Sequence, residues 1–361
     1  MSSKIRVLHK NKGLNGYDDT KSSSQISLET QDASGGDIET PNEEPASVLL
    51  DGVALIIRAP GYTIDRLENS LIFHAGSGRT HVEVRDIHTP TIDKHEVSNV
   101  VLIRSKLSEE PIEPRGLVIM NTMASLGALV YEEDSERVSI VSRLSMFKGD
   151  DGALRLYVPL VACSTVFHAT GLLNAIASTV GTQMPRLHIS DDQDGPSCWS
   201  RRDFEFAKEG LKQSFGLFCN AGDDGLTAEI PWEPGGISAM TGDMTSLLIF
   251  NSKTVHPTMG SGLFCKLELP LHFEEDELVF FANKLNQVEY DSVDAPPFFG
   301  AWCSHLKSGR LCHITFWPNT LYHPGTVLNL GAWMFFRNRQ AVAFISNNRK
   351  SRSNDVADCR G

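Results

Sequence analysis

The chain holds no apolar run near the ~20 residues that a transmembrane helix needs, so no membrane span is expected. It also lacks any Cys-x-x-Cys pair. Its seven cysteines (Cys163, Cys198, Cys219, Cys265, Cys303, Cys312 and Cys359) are scattered and odd in number. That spacing does not suit the common zinc sites and reads as buried, reduced thiols rather than a disulfide framework. Positive charge is short as well. Lys and Arg total 33 against 45 Asp and Glu, a formal net charge of −12. Such a balance argues against a nucleic-acid groove or an anionic membrane as the main partner and suits a soluble protein kept apart from its neighbours by repulsion, or one that meets basic partners. The N-terminus carries Lys4, Arg6, Lys10 and Lys12, but no apolar core follows them. A secretory signal of the usual kind is therefore not expected, and a cytoplasmic protein is. No Gly-x-Ser-x-Gly elbow occurs. Gly76-Ser77-Gly78-Arg79-Thr80 lacks the spacing of a phosphate loop and reads as a hairpin turn.

Against these absences stands self-similarity. Leu156-Tyr157-Val158-Pro159-Leu160 is echoed by Leu267-Glu268-Leu269-Pro270-Leu271, and Leu173-Asn174 by Leu285-Asn286. Phe215-Gly216-Leu217-Phe218-Cys219 is echoed by Phe299-Gly300-Ala301-Trp302-Cys303. From each Cys a Gly stands six residues on (Gly225, Gly309), and an Ile follows five later (Ile230, Ile314). A pattern of this kind sets the domain count before any single motif is weighed.

The division expected is a disordered tail over 1–46, a β-rich lead-in over 47–114, repeats over 115–236 and 237–345, and a polar tail over 346–361. The tail is polar and without apolar periodicity, so it cannot bury enough surface to offset its ordering entropy. In the lead-in, strands are expected at 53–57, 71–73, 81–84 and 100–103. The first repeat is read as an opening helix over 117–130, strands at 137–147 and 154–158, a helix from Ser164, a helix over 204–211, and paired strands at 215–219 and 226–230. The second is read as an opening helix over 240–250 and a strand over 263–269 ending at Pro270. A helix follows with its acidic first turn at 274–277, then strands at 302–305 and 311–316. A closing helix over 327–336 and a strand-like 341–345 complete it. The fold class is then α+β, two tandem sandwich repeats with antiparallel sheets.

The strand that ends in Pro-Leu, the helix that ends in Leu-Asn, and the paired strands that follow resemble the type III secretion chaperone-like fold. That group includes the CesT/Tir chaperones and the YbjN-like proteins. The resemblance rests on 156–160, 173–174 and 215–230, then 267–271, 285–286 and 299–314, and covers about 115–345. It implies a protein-binding function, no catalytic residues and no cofactor. Families of this fold usually work as dimers of one domain, so it implies an internal pseudo-dimer of the two repeats here.

Two candidate sites follow. Phe280, Phe281, Trp302, Trp317 and Trp333 give the second repeat a heavy aromatic load. They serve either the core and the seam between repeats or an apolar groove for a protein segment. His81, His88 and His95, among Glu83, Asp86, Asp93 and Glu96, form the densest cluster of His and acids. Three imidazoles are a metal-ligand set in principle, which keeps a metal-dependent enzyme as the alternative. The third reading is a structural component of a larger assembly.

Overall fold

Two antiparallel sheets with helices laid against them make an α+β protein. The computed structural model describes residues 63–75, 78–86, 97–108, 112–132, 137–147, 188–189, 197–232, 244–292, 297–304 and 309–358, with residues 50, 51, 54, 55 and 58 ahead of them. The expected tail over 1–46, the strand at 154–158 and the helix from Ser164 lie outside these residues, as do Leu156–Leu160 and Leu173-Asn174.

The first sheet has strands β1 (Thr63–Arg66), β2 (Ser70–Ala75), β3 (Gly78–Asp86) and β4 (Val97–Ser108). Helix α1 (Pro114–Met120) follows, then β5 (Ala128–Glu132) and β6 (Arg137–Phe147). β1 to β4 pair in sequence. β6 then docks on β4 and leaves β5 at the edge, giving the order β1-β2-β3-β4-β6-β5. The lead-in and the start of the first repeat therefore share one sheet.

After the short β7 (His188–Ile189) comes helix α2 (Arg201–Phe215). A capping box of Ser200 and Asp203 starts it, and Gly216 in the left-handed region (φ 68°) ends it. The second sheet holds β8 (Phe218–Ala221), β9 (Gly225–Pro231), β10 (Thr245–Asn251) and β12 (Gly260–His272). Helix α3 (Glu275–Asp291) follows, then β13 (Ala301–Cys303), β14 (Arg310–Pro318) and the long helix α4 (Thr326–Asp358). The main run is β8-β9-β10-β12-β14-β13, and β11 (Thr254–His256) bridges β12 to β7. The expected boundary between residues 236 and 237 falls between β9 and β10, which are hydrogen-bonded neighbours.

One order of elements thus occurs twice: four strands in a meander, a helix, then two strands of which the last returns beside the fourth. The match extends to single residues. Ala128 pairs with Val141 as Ala301 pairs with Ile314. Leu129 pairs with Ile140 as Trp302 pairs with His313. The Asn121 amide grips the edge strand, donating to the Leu129 carbonyl (3.0 Å) and accepting from its N–H (2.8 Å). Asn286 does the same to Trp302 at 2.9 and 2.7 Å.

The two halves meet reciprocally. α1 packs on α3 and β5 on β13, while α1 touches β13 and α3 touches β5. Arg143 of β6 exchanges main-chain hydrogen bonds with Phe298, three residues ahead of β13. Phe316 of β14 donates its N–H to the carbonyl of Ser125, three residues ahead of β5. The seam is filled by Ala128, Val130 and Val141 of one half with Ala301, Cys303 and Ile314 of the other. Residues 44–361 form one compact unit.

Five sequence expectations change. Residues 245–251 are strand rather than helix, because Ser246, Leu248 and Phe250 are buried at period two. The expected opening helix over 117–130 stops at Met120, where the Asn121 grip turns the chain into β5. Residues 341–345 continue α4, burying Ala341, Val342 and Ile345 on one helical face. In place of a strand at 53–57, residues 50, 51, 54, 55 and 58 are helical, with Leu50 and Ala54 buried four residues apart. β12 also outruns Pro270, which has no N–H to give, through a register shift between Glu268 and His272.

Candidate functional site

The five expected partner-binding aromatics spread through the layer between the second sheet and its helices. Phe281 and Trp302 are fully buried and Trp317 is nearly so. Phe281 meets Phe273 and Phe344 edge-on, and Phe299 bridges Trp317 and Trp333. Phe280 and Trp333 are half-buried against the same core. They form core rather than an open groove. The aromatic load that identified them does not separate a core from a docking face.

Beneath them lies a buried polar cluster that the sequence did not announce. The Trp302 indole N–H donates to Glu289 Oε1 at 2.5 Å, and Arg337 Nε donates to Glu289 Oε2 at 2.6 Å. A second guanidinium nitrogen of Arg337 donates to the Pro297 carbonyl. Arg337 and Glu289 are 1% and 3% exposed, so this pair binds α3 to α4 out of water. Removing one partner of such a pair strands a buried charge, at a cost of about 3–5 kcal/mol. His313 stands edge-on to Trp302 and is wholly buried. Neither ring nitrogen has a hydrogen-bond partner among the described residues. Burial first, and the nearby Arg337 charge second, push its pKa well below the ordinary value, so the ring is neutral.

Cys303 and Cys312 face each other across β13 and β14 with their sulfurs 3.8 Å apart, both as free thiols. Burial and the Cys312 neighbour push the Cys303 thiol well up, which suits packing more than nucleophilic chemistry. His81 is half-buried on β3, while His88 and His95 lie outside the described residues. Among the described residues no three His, Cys, Asp or Glu stand close enough together to hold a metal ion. Nor is any described helix long and apolar enough to cross a membrane.

Two surfaces remain open. One is a cleft of about 270 Å³ at the seam, between α1, the edge strand β5 and the outer face of α3. The other is the β8 end of the second sheet. β8 pairs only with β9 among the described strands. Register places Phe218, Glu229, Leu247 and Glu268 in one row across four strands. Phe218 is 74% exposed, Leu247 is exposed at 37% and Glu229 is also exposed. Nearby in sequence, Phe206 projects from α2 at 59% exposure. Phe204, Ala207 and Leu211 set the buried face of that helix, so the exposure of Phe206 was readable from period 3.6.

No family model, no curated protein and no solved structure matches this chain.

Proposed function

We propose that this protein is a non-enzymatic binding module, an internal pseudo-dimer of chaperone-like repeats that holds an extended segment of another protein. The doubled order of elements and the reciprocal seam support an internal pseudo-dimer. The observation that carries the reading is the exposed Phe218 on a terminal strand, in one row with Glu229 and Leu247. A terminal strand offers unpaired N–H and C=O groups, and an extended segment satisfies them by adding as a further strand. Phe218 then packs against an apolar side chain of the added strand, while Leu247, two strands further in, stays out of its reach. Glu229, one strand in from Phe218, and the net charge of −12 select Lys or Arg on that strand.

A fluorescence-anisotropy titration with two synthetic peptides tests this, one alternating Val with Lys and one alternating Val with Glu. The Lys peptide is expected to bind and the Glu peptide not to. Phe218→Asp is expected to weaken the Lys peptide about tenfold or more, with the melting temperature unchanged because the side chain is exposed. Glu229→Lys is expected to shift preference toward the Glu peptide. Equal binding of both peptides, or indifference to both substitutions, rules the reading out.

A further inference from the structure

Each half grips its own edge strand with a carboxamide. Asn121 holds both main-chain groups of Leu129 at the outer edge of β5, and Asn286 holds those of Trp302 at the edge of β13. Along a strand, main-chain groups turn to alternate sides from one residue to the next. Ala128, Val130 and Glu132 therefore face β6, and the N–H and C=O of Tyr131 turn to the same outer edge as those of Leu129. β5 is the last strand of its sheet, and its register with β6 is unbroken from Ala128 to Glu132. Among the described residues the main-chain groups of Tyr131 have no hydrogen-bond partner at that edge.

That edge borders the seam cleft. Leu129 and Tyr131 line it from β5, Ile112 and Leu117 from the chain that leads into and forms α1, and Asn283 from α3. The four apolar side chains belong to one cluster, so Leu129 and Tyr131 turn the same face to α1. Asn283 donates to the Pro114 carbonyl at 3.1 Å and to the Val279 carbonyl at 3.0 Å, which fixes the start of α1 against α3. In the second half Trp302 stands where Leu129 stands in the first, and its buried indole is anchored to Glu289. Leu129 is the smaller side chain of the two. An apolar pocket with a few convergent polar groups is the usual form of a small-molecule site.

We propose that this cleft binds a small neutral primary carboxamide, its amide on the N–H and C=O of Tyr131 and its apolar body on Ile112, Leu117 and Leu129. Asn121 makes the same pairing two residues away, where its Oδ1 accepts from the Leu129 N–H and its Nδ2 donates to the Leu129 carbonyl. A primary amide carries an N–H on the same side as its C=O, so it meets both groups of one residue. A trans secondary amide turns the two to opposite sides and meets only one. A carboxylate has acceptors and no donor, and leaves the Tyr131 carbonyl unmet. An apolar cavity of ~150 Å³ holds benzene, so about 270 Å³ has room for one ring and its amide. The site lies at the seam and does not depend on the peptide-binding reading of the β8 edge.

Titration of the full chain with benzamide, followed by calorimetry and by amide NMR shifts, tests the assignment. Benzamide is expected to bind at about one molecule per chain, with the Tyr131 N–H among the signals that shift. N-methylbenzamide and benzoate, close to it in size, are each expected to bind at least about tenfold more weakly, for the hydrogen bond that each loses. Tyr131→Pro removes the donor, and an edge strand tolerates it because that N–H faces outward. Its benzamide affinity is expected to fall about tenfold below that of Tyr131→Ala, which keeps both main-chain groups. Leu129→Trp, which installs the side chain of the second half, is expected to abolish binding. Failure of benzamide to bind overturns the proposal. So does equal binding of N-methylbenzamide or benzoate, which decides the matter even where a variant does not fold. Equal affinity in Tyr131→Pro and Tyr131→Ala, or unchanged affinity in a folded Leu129→Trp, also overturns it. Binding of N-acetylvaline N-methylamide or N-acetylglutamine N-methylamide as tight as that of benzamide overturns it too, since the edge then takes a strand or a side chain of another protein.

Discussion

Two buried histidines make stability depend on pH. His313 has no hydrogen-bond partner for either nitrogen among the described residues, and burial with Arg337 holds its pKa well below 6.5. His256 is pushed down to about 4, chiefly by burial, with its bond to the Met123 carbonyl working the other way. Its Nδ1 faces the Thr258 N–H at 3.2 Å, so Nε2 carries the proton and donates to Met123 at 3.0 Å across the seam. In the unfolded chain both rings titrate near ~6.5. Below that pH and above the folded values, the unfolded state binds more protons, so stability falls as pH falls. Each ring contributes a slope of up to ~1.4 kcal/mol per pH unit. Urea unfolding at pH 7, 6 and 5 is expected to show this loss, with His313→Phe removing about half of the histidine share. An unchanged pH slope in His313→Phe would falsify the account. The same residue shows what the sequence withholds. The sequence places His313 beside Cys312 on a strand, but alternation cannot say that β14 is covered on both faces.

At the scale of elements, the asparagine grip holds each edge strand to the helix before it. Asn286 is 1% exposed and Asn121 is fully buried, so no water replaces their bonds. Asn121→Ala and Asn286→Ala each orphan one N–H and one C=O, at about 1–3 kcal/mol per group. Both variants are expected to unfold at lower urea, and amide exchange in β5 or β13 is expected to quicken first. An effect confined to the α1 or α3 amides would contradict the grip. The sequence made Leu285-Asn286 visible but paired it with Leu173-Asn174, whereas the hydrogen bonds pair it with Met120-Asn121. Likewise Gly300-Ala301 answers Gly127-Ala128, since both alanines oppose the same step of the returning strand. Strong local signals gave β6 residue for residue, β14 nearly so, and the start of α3. The pairing of distant elements was less legible, because a repeat of apolar spacing fits in more than one phase. The cleft was least legible of all, since Leu129 and Lys284 come together only through the seam.

For the whole molecule, the reciprocal seam means that the two halves share most of their core, apart from a small cluster around Leu117 and Leu129 in the first. Val141 and Ile314 occupy equivalent strand positions and pack in one cluster with Phe298 and Ala301. The larger core likewise joins Val82 and Val101 of the first sheet to Leu248 and Leu267 of the second. A contiguous core of this kind unfolds as a unit when no weak boundary divides it. Ile314→Ala opens a cavity in the seam and is expected to cost about 2–5 kcal/mol, with Val141→Ala costing less for its smaller loss of volume. The consequence that distinguishes a shared core from two adjoining ones is where protection is lost. Hydrogen exchange in Ile314→Ala is expected to rise in β2 to β4 as well as in β9 to β14. Faster exchange in the second sheet alone, with the first unchanged, would mean that the halves are stable separately and that the seam is only a contact between them.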